Sequence, residues 1–244
     1  MNRYYFLDRL RGITVVSMVA YHGIWDLVHI FHINISWFND VIGYIWQQSI
    51  CYTFILLSGF CWSLGTHQWK RGITILICGA VISVITAIFL PDGRIIFGIL
   101  TFLGFAVLVM IGLERLLKKV PAITGMGSSL VLFLITRNVN RGSLGFERLQ
   151  LMKIPRHLYC NYISAFFGFP QSTFFSADYF SVIPWIFLFI AGYYIYQIFK
   201  QKEWNRYLVN RKWRWLEWIG QHSLGIYMLH QPAILGCISL FQNF

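Results

Sequence analysis

His22, Asp26 and His29 stand at spacings of four and three within one apolar run. On a helix those spacings put all three side chains on a single face. A carboxylate one turn from an imidazole can hold its tautomer and raise its basicity, which is what a general base needs. The same face passes back through Met18 and Val15 to Arg11. His22 falls near the middle of a run about as long as a bilayer is thick, and ionisable groups at that depth are costly and point to function by default. Other readings fit the same residues. A buried polar pair can fix helix contacts with no reaction, and a row of titratable groups can relay protons through a transporter or flippase. His-x3-Asp-x2-His also offers three metal ligands on one face, but no second ligand cluster accompanies it, so no metal is expected.

His230, in Ile-Tyr-Met-Leu-His-Gln-Pro, is a second histidine inside an apolar run. A site role and a hydrogen bond to a carbonyl released by Pro232 fit it equally well. Ser223 lies seven residues earlier, roughly 10 Å along a helix, too far for a serine–histidine pair. Asp178 precedes another apolar run, where it suits a helix cap. With Tyr179, Phe180 and Trp185 it would also suit a sugar ring, although the aromatics fit an interfacial belt as well. Arg9, Arg11, Lys70 and Arg71 either set topology or clamp the phosphates of an anionic cofactor.

These residues need helices to hold them, and the composition provides apolar ones. The 244 residues are 57% hydrophobic and 12% charged, too little polar surface for a soluble globule of this size. Apolar runs near twenty residues recur and are apolar all round, unlike the short alternating strands of a membrane barrel. The expectation is an all-α, polytopic integral membrane protein of about seven transmembrane helices, forming a single domain over 1–244. The spans are read as Ile13 to Phe31, Val41 to Leu64, Ile73 to Leu90, Ile95 to Leu113, Val120 to Thr136, Phe180 to Phe199 and Trp215 to Leu240. The first run lacks a small-x-small cleavage site and carries the ionisable face, so it is expected to stay in the mature chain. Proline marks helix starts at Pro121 and Pro184, whereas Pro232 should kink the last helix or free the carbonyl of Met228.

With the N-terminus cytoplasmic, 14 of the 20 basic residues fall inside, among them Arg206, Arg211, Lys212 and Arg214 of a basic link from Lys200. Arg94 and five in a polar stretch from 137 to 179 fall outside, which makes that stretch an extracytoplasmic loop. This bias accounts for the net charge of +11 with no nucleic acid as partner. The five cysteines include no Cys-x-x-Cys pair, which argues against a zinc site or disulfide framework.

Several stretches together resemble a known family. They are Leu7 to Thr14, Met18 to Leu27, Phe54 to Gly59, Lys70-Arg71-Gly72, Ile96 to Leu100, Asp178-Tyr179-Phe180, Pro184-Trp185, and His222-Ser223-Leu224 through His230-Gln231-Pro232. In this order they are similar to the bacterial branch of the heparan-alpha-glucosaminide N-acetyltransferase catalytic-domain family, within the transmembrane acyltransferase group. The resemblance implies an acyltransferase of the cell membrane, taking acetyl from cytosolic acetyl-CoA to a sugar or glycan acceptor on the other side of the lipid bilayer, with a homodimer as one assembly open to it. The arrangement read from the residues fits such an enzyme, with His22 and Asp26 expected as catalytic residues, Arg9, Arg11, Lys70 and Arg71 at the cofactor, and His29, Asp178, Trp185 and His230 at the acceptor. Thr101 stands where the family often has histidine. The lysosomal members place their active histidine in the first luminal loop, which leaves His29 and His32 as alternatives to His22.

Overall fold

The computed structural model describes residues 3–209 and 213–242, without the side chains of 205–206 and 239–242. In chain order the elements are α1 (Tyr5–His29), α2 (Val41–Trp62), α3 (Gln68–Phe89), α4 (Ile99–Leu117) and α5 (Ala122–Thr136), then strands β1 (Ser143–Phe146) and β2 (Leu149–Lys153), and finally α6 (Tyr162–Phe167), α7 (Val182–Gln201), α8 (Arg214–Gln221) and α9 (Ser223–Gln242). The architecture is α-helical apart from one small hairpin. Contacts divide the chain into two compact units, Ser58–Phe199 and the segments on either side of it.

Among the described residues, α2, α3, α4, α5 extended to Arg141, and α7 are long and apolar enough to cross a membrane. In the Ser58–Phe199 unit, α3 exposes Ile77, Val81, Val84, Ile85 and Ile88, an outward apolar stripe at helical spacing that suits hydrocarbon rather than water. Its other face meets α4 through small residues. A Cβ on Gly79 would lie 2.8 Å from the Thr101 backbone nitrogen, and one on Gly104 would lie 2.7 Å from that of Leu76. Close backbone approach of this kind is how membrane helices gain van der Waals contact. Thr101 therefore serves a helix contact.

Three expectations need correction. The first helix starts at Tyr5, not Ile13. Its charged first turns stay helical because another helix pairs with them, as described below. The last expected span, Trp215 to Leu240, is two helices that part at His222. The first of the two, α8, is amphipathic, burying Leu216, Glu217 and Gly220 while Trp215 and Trp218 stay exposed. The polar stretch 137–179 is not a plain loop. Its strands pair antiparallel with a bulge between Leu144 and Gly145, where φ of +133° demands glycine. Asn138 braces this hairpin by donating to the carbonyls of Glu147 and Leu149 at 3.0 and 3.2 Å. Pro232 lies inside α9, which runs on through it. Arg211 and Lys212 of the basic link lie outside the described residues, as does the Arg206 side chain.

Candidate active site

The first half of α1 is held by α8. A Cβ on Gly12 would sit 2.1 Å from the Leu216 carbonyl oxygen, and one on Gly220 would sit 1.8 Å from that of Asp8, so only glycine lets these backbones touch. Charge seals the contact. Arg9 pairs with the fully buried Glu217 at 3.6 Å. Asp8 takes Arg3 at 2.8 Å and Arg11 at 3.4 Å, and accepts from Gln221 Nε2 at 3.3 Å. Farther along α1, Ser17 accepts from Trp46 Nε1 at 2.8 Å. Tyr21 packs against Phe38 and Trp46, with ring centroids 5.0 and 5.4 Å apart.

That clamp fixes which face of α1 points inward. Asp8, Gly12, Val15, Met18 and Asp26 are buried in sequence along it, with Val15 and Asp26 wholly inaccessible. At the far end this face meets α9. The His22 and His230 rings lie 4.9 Å apart, tilted by 57°. One turn on, Gln231 Nε2 donates to Asp26 Oδ1 at 2.7 Å. Asp26 Oδ2, Gln231 Oε1 and His230 Nε2 are buried with no hydrogen-bond partner. Three orphaned polar atoms on two adjacent side-chain pairs are an unusual expense for a fold, and such groups mark places where a ligand completes the bonding. Alongside runs an open apolar groove of about 860 Å³ between α1 and α9, walled by residues such as Ile24, Leu27, Leu229 and Ile234, with His230 on its lining. Added side-chain atoms on Gly23 or Gly225 would meet nothing within 4 Å, so small residues keep it wide.

The structure thus brings His22, Asp26 and His230 together and adds Gln231. The carboxylate's bond goes to Gln231, across helices, rather than to His22 on its own helix. His230 donates from Nδ1 to the Tyr227 carbonyl at 2.6 Å, not to the Met228 carbonyl that Pro232 leaves without an amide. His29 is exposed, stacked on Trp25 at 4.6 Å and bonded to its carbonyl, and His32 is exposed with φ of +55°. No group of three or more His, Cys, Asp or Glu side chains able to hold a metal ion forms among the described residues.

The remaining expected residues do structural tasks in their own surroundings. Arg9 is engaged with Glu217 of α8, and Arg11 pairs with Asp8 on its own helix. In the Ser58–Phe199 unit, Lys70 is exposed and Arg71 reaches the Cys61 carbonyl at 3.4 Å. Asp178 caps a helix, but the helix is α4: its Oδ2 accepts from Ile99 N at 3.2 Å. Trp185 is buried, packed against Phe133 and Phe180 with the Arg137 guanidinium 4.9 Å over its ring. Gln231 and Glu217 are the residues that sequence reasoning passed over. The signal for Glu217 was scarcity, since only nine acidic residues face twenty basic ones. Gln231 had only its place beside His230.

A family model described as heparan-alpha-glucosaminide N-acetyltransferase, catalytic, matches residues 3–232. No curated protein and no solved structure matches the chain.

Proposed function

The chain belongs to the heparan-alpha-glucosaminide N-acetyltransferase catalytic family, and on that premise we propose that it is a membrane-embedded acetyltransferase. It takes acetyl from cytosolic acetyl-CoA and passes it to an amine or hydroxyl of a sugar on the extracytoplasmic side. The residue-level observation that carries this reading is the meeting of His22, Asp26, His230 and Gln231, with three buried polar atoms left open. Acyl transfer needs an acid–base group at the thioester and another at the acceptor, and two facing imidazoles suit that demand. His22 and Asp26 are the proposed reacting residues, with Gln231 pinning the carboxylate so that α9 stays registered on α1.

The topology is part of the proposal. The five apolar helices plus α1 and α9 make seven spans. Twenty-five residues of α1 reach about 37 Å at 1.5 Å per residue, enough to cross a bilayer even with charged first turns. The basic bias supports a cytoplasmic N-terminus and a multi-pass protein of the cell membrane. It also puts Arg9, Arg11, Lys70 and Arg71 on the side from which acetyl-CoA comes. Of these, Arg9 is the least suited to the cofactor, because it is already paired with the buried Glu217. Of the residues expected at the sugar, the exposed His29 is the one proposed, since Asp178 is committed to the α4 cap and Trp185 is packed against Phe133 and Phe180.

The direct test is binding. Purified protein is expected to melt at higher temperature with acetyl-CoA, since a ligand at 100 times its dissociation constant adds about 2.7 kcal/mol to the folded state. An unchanged melting point at saturating acetyl-CoA would count against the reading.

A further inference from the structure

Three histidines share one backbone arrangement. Nδ1 of His29, His222 and His230 lies 3.1, 2.9 and 2.6 Å from the carbonyl oxygens of Trp25, Trp218 and Tyr227. A carbonyl only accepts, so Nδ1 holds the hydrogen in each ring, and in the neutral ring Nε2 is a bare lone pair. His29 and His222 are exposed residues. His230 keeps Nε2 buried with no partner. Its ring is also held in place. Gln231, the next residue, is tied to Asp26, and the His22 ring lies 4.9 Å away, centroid to centroid. No hydrogen bond fixes the His22 ring among the described residues, so nothing there selects its tautomer.

Resting on the acetyltransferase reading above, we propose that His230 is the general base toward the acceptor, with Nε2 as the atom that takes its proton, while His22 serves the acyl donor. The acceptor's N–H or O–H bond breaks and its proton passes to Nε2. The freed electron pair forms the new bond to the thioester carbonyl carbon, the C–S bond breaks, and the sulfur leaves as thiolate. The His230 imidazolium then gives this proton to the facing His22 ring, which passes it to sulfur, so acetyl thioester and acceptor become acetylated acceptor and free thiol, with both imidazoles unchanged. The Tyr227 carbonyl contributes throughout: it accepts from Nδ1–H in the neutral ring and binds more strongly once the ring is charged.

The test uses the full chain in nanodiscs with His230→Gln, which keeps a polar side chain of similar reach but no base, and with nitrogen-15-labelled histidine. At neutral pH the wild-type spectrum should contain a neutral ring protonated at Nδ1 and bare at Nε2 that vanishes in His230→Gln. The variant should keep its affinity for acetyl-CoA and its KM for that substrate, while kcat falls about 10²–10⁴-fold, the usual contribution of general-base catalysis. A His230 ring protonated at Nε2, or transfer retained within threefold in His230→Gln, overturns this role and leaves the acetyltransferase reading standing. Wild-type protein that performs no acetyl transfer overturns that reading and this role with it.

Discussion

At the residue scale the pivotal object is a carboxylate with one partner. Asp26 is wholly buried, and among the described residues the only hydrogen bond to its carboxylate comes from Gln231. Removing one partner of a buried pair costs more than removing both, because the survivor keeps its desolvation penalty. Gln231→Leu should therefore lower stability by about 1–3 kcal/mol, and adding Asp26→Leu to it should recover much of the loss. Melting curves of the two single variants and the double variant in one detergent measure this, and strict additivity would mean that the pair is not coupled. Glu217 poses the same question with full charges. Glu217→Ala removes the carboxylate that pairs with Arg9, a side chain only 12% exposed, and should cost about 3–5 kcal/mol. A melting point close to wild type would show that Arg9 finds water instead.

At the element scale, glycines decide where helices touch. Gly12→Ala and Gly220→Ala each drive a methyl group into a facing carbonyl oxygen, 2.1 and 1.8 Å away. Parting α1 from α8 should cost about 1–3 kcal/mol in either variant. Gly23→Ala, with open space around it, should be neutral or stabilising by up to about 1 kcal/mol, as alanine is the better helix former. Equal effects at Gly12 and Gly23 would deny the close crossing. The same contact explains what the sequence did and did not disclose. The stripe Val15, Met18, His22, Asp26 follows from helical period alone, and its inward direction was legible. That α1 begins at Tyr5 was not, because Asp8, Arg9 and Arg11 look like a solvated end until Glu217 and Gln221 of α8 supply their partners. Nor did hydropathy separate α8 from α9, since three tryptophans in 213–218 raise apolarity in a helix that is amphipathic. The pairing of Asp26 with Gln231 joins residues 205 positions apart, and no local pattern encodes it.

At the scale of the whole molecule, the account needs a direction across the membrane. The exposed Cys160 lies between β2 and α6, in the stretch expected outside, while Cys51, Cys61, Cys78 and Cys237 belong to α2, α3 and α9. An impermeant maleimide added to intact cells should label Cys160 and lose that label in Cys160→Ser. Labelling that requires permeabilised cells would reverse the orientation. The helical class and the apolar spans were readable from composition. The hairpin at 143–153 was not, because its short strands carry mixed polar residues and its register depends on one bulged glycine.

The central claim is that this chain transfers acetyl groups at the meeting of α1 and α9. The most direct measurement follows labelled acetyl from acetyl-CoA, supplied on the side of the N-terminus, to an amino sugar on the other side of proteoliposomes, with wild type and His22→Ala compared at equal folded amounts. The account predicts transfer by wild type, and loss of at least about 10²-fold in His22→Ala with the melting point nearly unchanged. Full activity in His22→Ala, or no transfer by the folded wild type, would contradict it.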